Sequence, residues 1–126
     1  MRLFVYGTLR RGAEMHGLLE GRVSYLGPAR VAGRLMDLGA FPALAIPVNP
    51  NDHVRGDLFG IEAATREALL ETLDRYEGNR FERKPAVVEG PTGATEAWLY
   101  RWLGDPQGFR TITSGDYLAA LTEDLR

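Results

Sequence analysis

The chain has 126 residues, 44% of them hydrophobic and 25% charged, with a formal net charge of −2. That length suits a single domain, 1–126, able to bury its own core. The composition excludes a disordered chain, and the slight acidity argues against a broad nucleic-acid footprint.

Leu3-Phe4-Val5-Tyr6 is a short apolar run that meets Gly7 and predicts a buried strand entering a turn. Arg10-Arg11-Gly12 continues that loop, and His16 to Leu19 predicts one helical turn before Gly21. Val23–Leu26 and Val31–Leu38 read as two strands separated by Gly27-Pro28. Gly39 to Ala43 reads as a turn feeding Leu44-Ala45-Ile46, and Pro47 to Asp52 as an exposed loop. Val54 to Ile61 is a further strand.

Thr65 to Tyr76 carries the plainest helical pattern, with Leu69, Leu70, Leu73 and Tyr76 on one face, Thr65 as N-cap and Gly78 just beyond the end. Phe81–Glu89 and Thr95–Leu103 predict two strands joined by Gly90-Pro91-Thr92-Gly93. Ser114 is placed as the cap of a last helix, Asp116 to Asp124. Strands in succession, with one inserted and one terminal helix, predict an α+β fold. No apolar run reaches the roughly 18 residues of a membrane span, and the N-terminus turns too early for a signal-peptide core. The expected location is cytoplasmic, with no membrane partner.

Composition also limits the chemistry. Cysteine is absent, so disulfides, thiolate nucleophiles and thiolate metal sites are excluded. Serine occurs only as Ser24 and Ser114, and histidine only as His16 and His53. Neither serine sits in a Gly-x-Ser-x-Gly turn, and no aspartate cluster has the spacing of a metal-binding loop. No metal or cofactor is expected. His16 and His53 read as loop polar groups, and Trp98, Tyr100 and Trp102 as packing residues. An enzyme built from this chain must rely on carboxylates, backbone N–H groups, tyrosines and arginines.

Two segments could hold such chemistry. Tyr6-Gly7-Thr8-Leu9-Arg10-Arg11-Gly12 is a strand running into a glycine turn, where consecutive N–H groups can form a nest for a carboxylate or oxyanion. The same residues also suit a plain strand–turn with two solvated arginines. Glu77 falls in the last turn of the predicted helix, where the dipole and unpaired carbonyls disfavour a carboxylate and raise its pKa. A carboxylate so placed can shuttle protons near neutral pH, though the position also fits a frayed, solvated glutamate.

Taken together, five blocks resemble the γ-glutamylcyclotransferase-like family, in its γ-glutamylamine cyclotransferase and AIG2-like branch. They are Val5 to Gly12, Gly33 to Ala43, Val54 to Phe59, Leu73 to Gly78 and Ser114 to Tyr117, in that order along the chain. Phe81 stands where many relatives carry tyrosine in a Tyr-x-Arg pattern, with Arg83 retained. The resemblance implies a small mixed β-barrel flanked by helices. It implies that Tyr6, Gly7, Thr8 and Leu9 hold a glutamyl group and that Glu77 is the catalytic acid–base. The implied reaction is attack of the substrate's own α-amino group on its γ-carbonyl, giving 5-oxoproline and a free amine. The implied partner is a small γ-glutamyl molecule. Two other readings stay open: a non-catalytic module binding a small glutamyl-like carboxylate, and a protein-interaction domain using Trp98 and Trp102.

Overall fold

The computed structural model describes residues 1–45 and 51–124. Five strands close a barrel: β1 (Arg2–Val5), β2 (Val23–Ala32), β5 (His53–Ile61), β6 (Phe81–Gly90) and β7 (Gly93–Trp102), in the order β1-β5-β2-β6-β7. A second, three-stranded antiparallel sheet joins β3 (Arg34–Asp37), β4 (Pro42–Ala45) and β8 (Arg110–Thr111), with β3 central. Helix α1 (Arg66–Glu77) lies between β5 and β6, and α2 (Tyr117–Asp124) follows β8. The barrel is mixed: β1 is antiparallel to β5 but meets β7 in parallel, through the single pair Leu3↔Trp98. This is the expected α+β barrel flanked by helices. No helix among the described residues is long and apolar enough to cross a membrane.

Period-two alternation sorts the side chains of each strand to opposite faces. Phe4, Val31, Leu58, Val88 and Leu99 join one core cluster with Tyr6. Their neighbours Leu3, Val5 and Phe59 join a second cluster with Leu69, Leu70 and Leu73 of α1. Both faces of β1 and much of β5 are therefore buried, which explains the apolar runs Leu3-Phe4-Val5 and Leu58-Phe59. β1 and β5 approach closely at Gly56, where an added Cβ would stand 2.2 Å from the Val5 carbonyl oxygen.

The structure corrects several sequence expectations. Gly27-Pro28 does not separate two strands. β2 passes through it with a register shift between Tyr25 and Gly27, and Gly27 takes φ +132°. Thr65 makes no cap bond to α1, because it closes a 3-10 turn, Ala63–Thr65, and its hydroxyl turns back to the Glu62 carbonyl. The cap of α2 is Asp116, whose Oδ1 accepts from the Ala119 N–H at 3.1 Å, while Ser114 Oγ accepts from the Asp116 N–H. Leu103 lies beyond β7 and is exposed. The two-residue β8 was not anticipated. Ile46 and most of the expected Pro47–Asp52 loop lie outside the described residues.

Candidate active site

A cavity of about 270 Å³ opens where the end of β1 faces the end of α1. Tyr6, Gly7, Thr8 and Leu9 line one side, and Tyr76 and Glu77 another. Phe41, Pro42, Phe81 and Tyr100 complete much of the wall. All five residues singled out from the sequence therefore share one hollow.

The turn after β1 is held from behind. The Gly7 carbonyl accepts from the Arg10 N–H at 3.1 Å, and the Thr8 carbonyl from the Met15 N–H at 2.8 Å. His16 Nδ1 donates to the Leu9 carbonyl at 2.9 Å. Among the described residues, the N–H groups of Gly7, Thr8 and Leu9 meet no acceptor. Three consecutive carbonyls are thus satisfied while three consecutive N–H groups stay free, the arrangement that receives an anion. Gly7 is required by space: a Cβ there would come 2.7 Å from Pro42 Cγ.

Arg10 fixes the turn to the rest of the fold. Its Nη1 donates to Asp116 Oδ1 at 2.9 Å, and its Nε lies 3.5 Å from Asp57 Oδ2. The same Asp57 oxygen accepts from the Arg11 N–H at 2.9 Å. Asp57 is the buried charged residue of the described core, with 5% of its surface exposed, so this cation and N–H are what make its burial tolerable.

Glu77 ends α1, directly before Gly78 at φ +76°. Its carboxylate is half-buried and accepts no hydrogen bond among the described residues. Burial alone pushes its pKa up to about 7. Three phenols surround this region. Tyr76 exchanges a 2.7 Å hydrogen bond with Thr8 Oγ1 and so ties the helix end to the turn. Tyr6 donates to the Tyr100 carbonyl at 2.7 Å and accepts from the Leu44 N–H at 3.2 Å. Burial, with the nearby Glu77 charge, raises the pKa of Tyr6, and both also contribute to the rise at Tyr100. These phenols stay protonated near neutrality, which leaves Glu77 as the wall group that titrates there.

Sequence reasoning missed Tyr76, Asp74, Arg10, Asp57, Asp116 and Pro42 as supports of this cavity. Asp57, Asp74 and Asp116 fall inside three of the resembling blocks, which was the available signal. Trp102 is buried and Trp98 half-buried, which counts against the paired indole surface of the interaction-domain reading. Among the described residues, no three His, Asp or Glu side chains converge where a metal could sit.

Comparison with known proteins agrees with this architecture. The family described as "Gamma-glutamyl cyclotransferase, AIG2-like" matches residues 3–119. The γ-glutamylcyclotransferase family protein YtfP of Escherichia coli is 33% identical over 120 residues, covering 94% of this chain and 96% of that protein. The γ-L-glutamyl-butirosin B γ-glutamyl cyclotransferase of Niallia circulans is 32% identical over 104 residues, covering 78% of this chain and 64% of that protein. Among solved structures, YkqA of Bacillus subtilis shares the fold with a TM-score of 0.80 at 24% identity, over 99% of this chain. The chain spans 42% of YkqA.

Proposed function

The chain belongs to the AIG2-like γ-glutamyl cyclotransferase family, and from that premise we propose that it cyclises the glutamyl group of a small γ-glutamyl amine or dipeptide. The products are 5-oxoproline and a free amine. The observation that carries this reading is Glu77: a half-buried carboxylate without a hydrogen-bond partner among the described residues, in the same cavity as the free N–H groups of Gly7 to Leu9.

The substrate supplies its own nucleophile. Ionised Glu77 takes a proton from the α-ammonium, and the freed amine attacks the γ-carbonyl carbon to form a five-membered ring. The tetrahedral carbon then expels the second nitrogen, which leaves with the proton from Glu77, while the ring nitrogen gives up its second hydrogen as a proton that the released amine takes up through water, so that a neutral lactam and an ammonium result. The carboxylate returns to its starting state. Such a proton relay typically contributes about 10²–10⁴-fold. Holding a folded glutamyl conformer supplies much of the rest, because the reaction is intramolecular. The N–H groups of Gly7, Thr8 and Leu9 suit the α-carboxylate or the developing oxyanion, and Tyr6 shapes the base of the cavity.

Incubation with a panel of γ-glutamyl amines and dipeptides, followed by assay of 5-oxoproline, tests the reading. Glu77→Gln should keep the fold and bind 5-oxoproline while releasing none from substrate. Full turnover by that variant overturns the mechanism. Binding of 5-oxoproline without turnover of any γ-glutamyl compound by the wild type selects the non-catalytic binding module instead.

A further inference from the structure

A second hollow, of about 400 Å³, shares Phe41 with the first. Phe81, on the side of the first cavity, packs against Phe41 with ring centroids 5.9 Å apart, so an aromatic ridge runs between the two. The Trp102 indole lies beyond the ridge, and Phe109 meets it edge-on at 5.5 Å and 87°. Gly104 closes on that indole with no room for a side chain, since an added Cβ would collide with the ring. Leu103 and Phe109 flank the hollow with 52% and 46% of their surfaces exposed. Arg80 is the charged member of this lining; its side chain is exposed and makes no ion pair among the described residues.

Exposed apolar side chains around a shaped hollow mark a binding surface. Its place beside the first cavity says what it would bind. The γ-carbonyl of a substrate must sit by Glu77, and Glu77, Phe41 and Phe81 line the same cavity. The nitrogen on that carbonyl can therefore send its substituent across Phe41.

We infer that this hollow receives the leaving group, and that it selects γ-glutamyl dipeptides whose second residue is bulky and apolar, above all aromatic. The inference rests on the cyclotransferase reading. The second residue's side chain would lie on Leu103 and Phe109, with the largely buried Trp102 indole behind them, and its α-carboxylate would meet Arg80. A polyamine would bring positive charge to Arg80 and polar nitrogens to an apolar floor, so the same surface disfavours it.

The test compares γ-glutamyl-phenylalanine, γ-glutamyl-glycine and γ-glutamyl-phenethylamine, which lacks the second carboxylate. The kcat/KM for 5-oxoproline release from γ-glutamyl-phenylalanine should exceed that from γ-glutamyl-glycine by about tenfold or more, as burial of an aromatic ring implies. Phe109→Ala should bring that ratio close to one, and Leu103→Ser should lower it in the same direction. Arg80→Gln should weaken γ-glutamyl-phenylalanine several-fold and leave the phenethylamine derivative nearly as before. Equal kcat/KM for the phenylalanine and glycine dipeptides overturns the inference. Calorimetric titration of Glu77→Gln with both dipeptides separates the two readings. A tenfold affinity preference that Phe109→Ala removes, in a protein whose wild type releases no 5-oxoproline, keeps the hollow and refutes cyclisation. Absence of that preference refutes the hollow.

Discussion

The Tyr100 hydroxyl donates a 2.6 Å hydrogen bond to Asp74 Oδ1, joining the barrel wall to the helix that carries Glu77. Arg83 completes the contact with bonds of 2.9 and 3.2 Å to the two Asp74 oxygens. Partial burial would raise the Asp74 pKa, but the bonds from Arg83 and Tyr100 outweigh it and hold the carboxylate below its usual range. Glu77 follows Asp74 by three residues on α1, so this knot sets the position of the helix end. Tyr100→Phe keeps the ring and removes the bond. It should cost about 1 kcal/mol, seen as a lower urea midpoint at unchanged slope. It should also lower kcat for γ-glutamyl turnover more than it raises KM. Unchanged stability and kcat would show that the bond positions nothing.

Glu77 also leaves a mark on stability. Its pKa is raised from 4.5 to about 7, so its ionisation costs more in the fold than in the unfolded chain. Its favourable contribution is complete below about 4.5 and is lost as pH rises through about 7. Glu77→Gln should therefore match the wild type near pH 4 and exceed it near pH 8, by on the order of 1–3 kcal/mol. Denaturant unfolding at both pH values checks the divergence. A variant less stable than wild type at the higher pH would mean that the carboxylate has a stabilising partner.

The same ionisation should shape turnover. If the charged carboxylate takes the α-ammonium proton, kcat/KM rises with pH and levels off above about 7. Steady-state kinetics on any accepted γ-glutamyl substrate would give the midpoint of this acid limb. A profile without a limb between pH 5 and 8 would assign the proton transfer to another group.

Arg10→Gln strips the cation from between Asp57 and Asp116. Removing one partner of a buried ion pair costs about 3–5 kcal/mol, because a charge is left uncompensated. The turn at Gly7 to Leu9 should loosen with it, so affinity for 5-oxoproline should fall as well. Thermal unfolding and calorimetric titration test the two effects. Asp116→Asn, which retains a capping side chain, should cost about 1 kcal/mol or less. Equal losses for the two variants would remove Asp57 from the explanation.

Much of the fold was legible because local patterns and tertiary packing agree. The leucines of α1 repeat at helical spacing and bury the face they predict. Val54 to Ile61 reads as a strand and is one. Glu77 stood out because a carboxylate at a helix C-terminus is locally unfavourable. What escaped was non-local. Nothing near Gly27-Pro28 reveals that β5 pairs with β2 across it and carries the strand through. Arg10 looks like a solvated loop cation until Asp57 and Asp116 are brought to it from distant parts of the chain. Thr65 has the chemistry of a cap, but the preceding 3-10 turn takes its hydroxyl elsewhere.

The seam at Leu3 and Trp98 has a bearing on biosynthesis. The glycine turn leaves the ribosome well before Tyr100, which walls the same cavity and lies 94 residues after Tyr6. A nascent chain therefore owns no complete pocket until β7 has been made. Closure joins strands far apart in sequence and should be a slow step in maturation. Until it occurs, β1 presents an open edge to which chaperones or other unfinished chains could pair.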